Sequence, residues 1–185
     1  ARIDLGYALN RGGHLPEART EQEALRAHAA TIDGLDPLLG DRIEVDYAVT
    51  LTDQGEAAAA IEVQESLLDR IVAREGEGSE HALRLRNNLA ISLMRAGRYD
   101  AGRRQFESLL RQRRELLGAE HPDTLATLGN LAAARGTSGD PEGALELQRE
   151  VYSIRRRQQG EDHPETLAAR SNFASSLQAL GRSEE

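Results

Sequence analysis

The sequence predicts an all-α fold, a solenoid of stacked antiparallel helix pairs, and three observations predict it. Gly34, Gly76, Gly118 and Gly160 recur at an unbroken step of 42 residues, and Gly13, Gly55, Gly97, Gly139 and Gly181 keep the same step. Self-similarity at a fixed period of this size marks a repeat array, not a fold around one central core. Between the glycines run apolar residues at helical spacing, drawn from Leu, Ile, Val and Ala. Aromatics make up only 3 % of the chain and Trp is absent. Small and straight-chain residues of this kind favour helices over strands.

Register divides the 185 residues into units of about 1–34, 35–76, 77–118 and 119–160 with a half unit over 161–185, one array in all. In the third unit Leu83, Leu85, Leu89, Ala90 and Leu93 mark an amphipathic first helix. Gly97 ends it with the permissive backbone a tight turn needs. A second helix runs from about Tyr99 through Phe106, Leu109 and Leu116–Leu117 to Gly118. Pro16 and Pro141 open second helices, where a missing N–H costs nothing. Gly6, Ala48, Ala90, Ala132 and Ala174 form one small-residue column, and Ala18, Ala60, Gly102 and Ala144 another. Both suit helices that cross closely. Leu5, Tyr47, Leu89, Leu131 and Phe173 are the large residues of the first helices. Leu25, Leu67, Leu109 and Val151 are those of the second. All are read as core.

Composition removes several function classes. There is no Cys, so disulfide frameworks and thiol chemistry are excluded. No apolar run reaches the length of a membrane span, and the start is not a signal peptide. These traits predict a soluble cytoplasmic protein without membrane partners. The first residues and the ending inside a repeat read as a piece cut from a longer polypeptide. All 23 basic side chains are Arg against 31 acids, for a net charge of −8, which argues against nucleic acid as a partner. Residues 1–82 hold 17 acids and 7 Arg, whereas 83–185 hold 14 acids and 16 Arg. His121 and His163 sit a full repeat apart and the other histidines are isolated, so no metal set forms. No phosphate-cradling loop, no cofactor motif and no nucleophile–base set is present, so the chain is read as non-catalytic.

The loop Gly118-Ala119-Glu120-His121-Pro122-Asp123-Thr124-Leu125 is nearly repeated as Gly160-Glu161-Asp162-His163-Pro164-Glu165-Thr166-Leu167. Together with the Asn-Leu-Ala of the first helices, it resembles the 42-residue tetratricopeptide repeat of kinesin light chains and of similar repeats in bacterial regulators. The Lys-free composition fits a GC-rich bacterial genome. The first two units depart from the loop: Gly34-Leu35-Asp36-Pro37 and Gly76-Glu77-Gly78-Ser79 lack the His-Pro pair, so loops of different shape are expected there. The resemblance implies a right-handed superhelix whose first helices line a concave groove, and a protein-interaction scaffold that binds a peptide or partner segment in it. A second reading is a sensor or scaffold segment of a larger bacterial regulator, a nucleotide-switch ATPase or transcription factor, contacting its own domains.

The polar column Asp4, Asp46, Asn88, Asn130 and Asn172 borders the buried stripe. In the resembling families an Asn here bonds a bound peptide's backbone, and a carboxamide offers donors and an acceptor for that task. The other reading is a hydrogen bond tying adjacent repeats together. Arg42 and Arg84 share a column one turn earlier, and Asn87, Met94 and Arg95 are expected on the same face, as are Tyr7 and Asp53. Arg and Asn side by side suit a carboxylate on an extended chain. The candidate partner-binding set is therefore Arg42, Asp46, Arg84, Asn87, Asn88, Arg95, Asn130 and Asn172. Arg111, Arg113 and Arg114, echoed by Arg155, Arg156 and Arg157, are expected on a solvated, salt-bridged convex face. Phe173, Leu177 and Leu180 of the half unit are expected to offer a face for self-association.

Overall fold

The computed structural model describes residues 2–182. It holds nine helices and no strand among those residues: α1 (Arg2–Arg11), α2 (Leu15–Ala29), α3 (Pro37–Asp53), α4 (Ala57–Glu75), α5 (Glu80–Arg95), α6 (Tyr99–Leu117), α7 (Pro122–Thr137), α8 (Pro141–Gln159) and α9 (Pro164–Ala179). Contacts group them into two compact units, one running up to Arg98 and the other starting at Tyr99. In the first, each helix packs on the next from α1 to α5, and the first helices α1, α3 and α5 also touch side by side. In the second, α6 packs on α7, α7 on α8 and α8 on α9.

Each helix stops and starts where the repeating residues place it. Gly118 closes α6 with φ 91°, a left-handed backbone that a side chain would strain. His121 then caps α7, its Nδ1 accepting from the Asp123 N–H at 3.2 Å, and His163 does the same for Glu165 in α9. Ser79 occupies the equivalent place before α5 with nearly the same backbone (φ −63°, ψ 149° against −64°, 140° for His121). Its hydroxyl accepts from the Ala82 N–H. The Ser79 loop therefore keeps the shape and changes only the capping atom. Asp36 caps α3 one register position earlier, so there the expected difference is real.

The core follows the apolar columns through the middle of the chain and thins towards both ends. Tyr47, Leu89 and Leu131 are buried, as are Leu67, Leu109 and Val151. The small column Ala48, Ala90 and Ala132 is shut in completely or nearly so. Leu5 is 49 % exposed, and Leu25 and Phe173 are half-buried, because a terminal hairpin is covered from one side only. Leu116 and Leu117 at the end of α6 are exposed.

Candidate functional site

In the first unit, α3 and α5 flank a cavity of about 470 Å³. On α3, Arg42, Val45 and Asp46 share one face through three- and four-residue spacing; on α5, His81, Arg84, Leu85 and Asn88 do the same. Leu38 and Asp41 of α3, Tyr7 of α1 and Ile71 of α4 complete the lining. Four of the eight expected residues thus meet here: Arg42, Asp46, Arg84 and Asn88. Arg42 donates to Asp4 at 2.8 Å, which binds α3 to α1 and partly neutralises it. Among the described residues neither Arg84 nor Asn88 has a hydrogen-bond or ion-pair partner. Asp46 is half-buried, and its Oδ2 is shut off from solvent without a partner. Burial pushes its carboxyl above the ordinary carboxylate range and nearby Asp4 adds to this, while Arg42 and Arg84 pull the other way.

A network that sequence reading missed braces one end of the cavity. Buried Asp41 pairs with Arg74, which also holds Glu75 at 2.6 Å, and Glu75 bonds the Nδ1 of His81 at 2.8 Å. Hydrogen bonds from Arg74 and then His81 keep the Glu75 carboxyl below its usual range.

A smaller cavity of about 180 Å³ adjoins the first, since Asn88 lines both. Its walls are Val49, Thr52 and Asp53 of α3 and Ile91, Ser92 and Arg95 of α5, with Gln64 of α4 between them. Arg95 is not the free groove cation expected. It donates to Asp53 at 3.0 Å and to the Thr52 carbonyl at 3.2 Å, tying one repeat to the next. The Thr52 and Ser92 hydroxyls bond each other at 2.9 Å inside the protein, and Asn10 reaches Thr50 at 3.0 Å. Inter-repeat bonding is thus carried by these residues.

Asn87 is half-buried beside the cavity residues but lines neither cavity. Asn130 lies half-buried on α7 and Asn172 exposed on α9, both in the second unit. There the basic runs also divide. Arg113 is buried, not solvated: it donates to the Asp123 carbonyl at 2.8 Å and to the Thr127 hydroxyl at 2.7 Å, clamping α6 to α7. Arg114, Arg155, Arg156 and Arg157 are paired with Glu150, Glu165, Glu161 and Glu120, the salt-bridged face the sequence predicts. Tyr152 and Phe173 stack at 6.0 Å between ring centres. Leu177 is buried, so the apolar face on α9 is smaller than expected.

One functional candidate escaped the sequence reading altogether. Gln22, Gln64 and Gln148 hold the same register in the second helices, all are buried, and each leaves side-chain polar atoms unpartnered. The 42-residue step carried that signal, interrupted only by Phe106. No group of metal-ligating side chains exists among the described residues, and among them no helix is long and apolar enough to cross a membrane.

Comparison with known proteins agrees with this architecture. Tetratricopeptide-repeat family models match residues 81–157 and 1–21, so the chain carries tetratricopeptide repeats. No curated protein sequence matches it. Among solved structures, it resembles a Podosopora anserina protein of nearly identical tetratricopeptide-like repeats, assigned to the kinesin light chains. The two are 23 % identical with a TM-score of 0.85, covering 99 % of this chain and 86 % of that one. It also resembles the Rap conjugation gene regulator of plasmid pLS20, solved with the Phr* peptide (16 % identity, 99 % and 48 % coverage, TM-score 0.78). A third likeness is to Bacillus thuringiensis PlcR, solved with the peptide PapR7 and DNA (17 % identity, 99 % and 63 % coverage, TM-score 0.72). At these identities the likeness shows the fold.

Proposed function

We propose that this chain is a non-catalytic interaction scaffold of the cytoplasm that binds an extended peptide segment of a partner in the channel between α3 and α5. The observation that carries the reading is that Arg84 and Asn88, one turn apart and facing a cavity, have no hydrogen-bond or ion-pair partner among the described residues. A guanidinium and a carboxamide so placed suit a carboxylate and a peptide group. The peptide complexes of Rap and PlcR lend support from proteins of similar fold. We read residues 1–185 as one array, in which Asn130 and Asn172 are the second unit's own candidates for partner contact.

The test is peptide capture from a displayed random library, followed by titration of Arg84→Ala, Asn88→Ala and Asn130→Ala. Each change on α5 is expected to weaken binding about tenfold without lowering the melting temperature. Unchanged affinity in the Arg84→Ala/Asn88→Ala double variant sinks the reading. A second reading, a sensor segment inside a larger bacterial regulator (a nucleotide-switch ATPase or transcription factor), is favoured by the Rap conjugation gene regulator and DNA-bound PlcR both being longer than this array. A nucleotide-binding or DNA-binding domain in the same gene would support it.

A further inference from the structure

The two cavities of the first unit share one wall residue, Asn88, and both lie between α3 and α5 with α4 beneath. They differ in chemistry. The larger presents Arg84, a cation without an ion-pair partner among the described residues. The smaller presents Gln64, which is 1 % exposed and whose Oε1 has no partner. A buried carboxamide oxygen left unsatisfied costs stability. An acceptor oxygen is relieved by a donor, and a carboxamide supplies an N–H for it together with an oxygen that can accept in return. Val49 and Ile91 supply apolar walls for the methylenes of such a side chain, and 180 Å³ admits one side chain and no more.

Helix geometry sets the distance between the two subsites. Arg84 and Ser92, which face the larger and the smaller cavity, stand eight residues apart on α5, or about 12 Å at 1.5 Å per residue. An extended peptide advances about 3.3 Å per residue and returns its side chains to the same face at even steps. Two residues overshoot nothing but fall short, at about 7 Å; four residues span about 13 Å and match.

Resting on the peptide-binding reading, we propose that the channel is a two-pocket reader of an extended peptide. Arg84 takes the carboxylate of a Glu or Asp, Asn88 holds the backbone between, and Gln64 takes the carboxamide of a Gln or Asn four residues away. Arg42 stays with Asp4 and Arg95 with Asp53, so Arg84 is the cation that the ligand engages.

The experiment uses end-blocked, fluorescein-labelled peptides of about a dozen residues in an Ala/Ser background. A fixed Glu sits at the centre and one Gln is walked outward from it in both directions. Anisotropy with the unmodified protein is expected to give an optimum at a separation of four residues on one side, about tenfold tighter than at three or five. Replacing that Gln by Leu should abolish the gain. Gln64→Leu should remove the same gain and leave the other peptides unaffected; the same register in the other unit holds an apolar side chain, buried Phe106. A flat response to spacing, Leu binding as well as Gln, or an optimum that survives Gln64→Leu overturns the two-pocket model. If Arg84→Ala and Asn88→Ala still weaken every peptide, the broader peptide-binding reading stands. If no peptide binds, or if those two changes have no effect, both fall.

Discussion

The two compact units are built on one repeat yet spend their polar side chains differently. In the second, Arg113 is buried and uses its guanidinium to clamp α6 to α7, and the register of Gln64 is filled once by Phe106 and once by Gln148, whose Oε1 is also unpartnered among the described residues. At the register of Arg42 and Arg84 the second unit carries only Ala126 and Ala168. In the first unit, Arg84 and Asn88 face a cavity without hydrogen-bond partners among the described residues, and Asp46 and Gln64 keep buried oxygens unpaired among them. An unsatisfied buried polar atom costs stability. The comparison teaches that identical spacing can serve folding in one place and leave capacity for a ligand in another.

The sharpest way to break this contrast is Arg113→Ala. It removes both hydrogen bonds from α6 and leaves the Asp123 carbonyl and the Thr127 hydroxyl bonded only within α7. We expect a loss of about 2–4 kcal/mol, seen as a fall in Tm of roughly 5–15 °C, with peptide affinity in the first unit unchanged. A drop in affinity matching the drop in stability would erase the distinction. Next in size, Arg84→Ala/Asn88→Ala should cost at least about 1.4 kcal/mol of peptide binding, a factor of ten, with Tm unmoved.

Helix caps give a smaller effect of the same kind. His121→Ala should destabilise by about 1 kcal/mol, whereas His121→Asn should retain most of the cap. Chemical denaturation would read the difference, and Ser79→Ala should lose a similar amount from the first unit. Smallest is Asp46→Asn. Burial raises the Asp46 carboxyl in the folded protein, so its contribution to stability is present at acid pH and is lost as pH rises through the raised value. The Asn variant should therefore melt higher than the parent at pH 7, and the gain should fade as pH falls below the ordinary Asp value of 3.8. It should also bind carboxylate peptides about threefold more tightly at pH 7, a negative charge near Arg84 having been removed. A lower Tm at neutral pH would mean that the Asp46 charge is needed for folding.

Much of the fold was legible in the sequence because its signals are local. The glycine step located the helix ends except that of α2, which stops at Ala29 ahead of Gly34, and the His-Pro loops located two caps, although the capping role of the imidazole became visible only with Nδ1 beside the Asp123 and Glu165 amides. The site was half legible. Arg42, Asp46, Arg84 and Asn88 line one cavity, but Arg95 is held by Asp53, and Gln64 lies on a second helix that looked like wall.

By itself the sequence determined the period, the helices and most of their stops, since these follow from spacing along one chain. Which polar groups are paired was decided only by the tertiary structure. A hydrogen bond needs its atoms within about 3 Å and well aligned. Whether Arg95 reaches Asp53, Arg113 reaches Thr127, or Gln64 reaches nothing depends on how neighbouring helices sit to within an ångström, and a 42-residue step does not encode that distance.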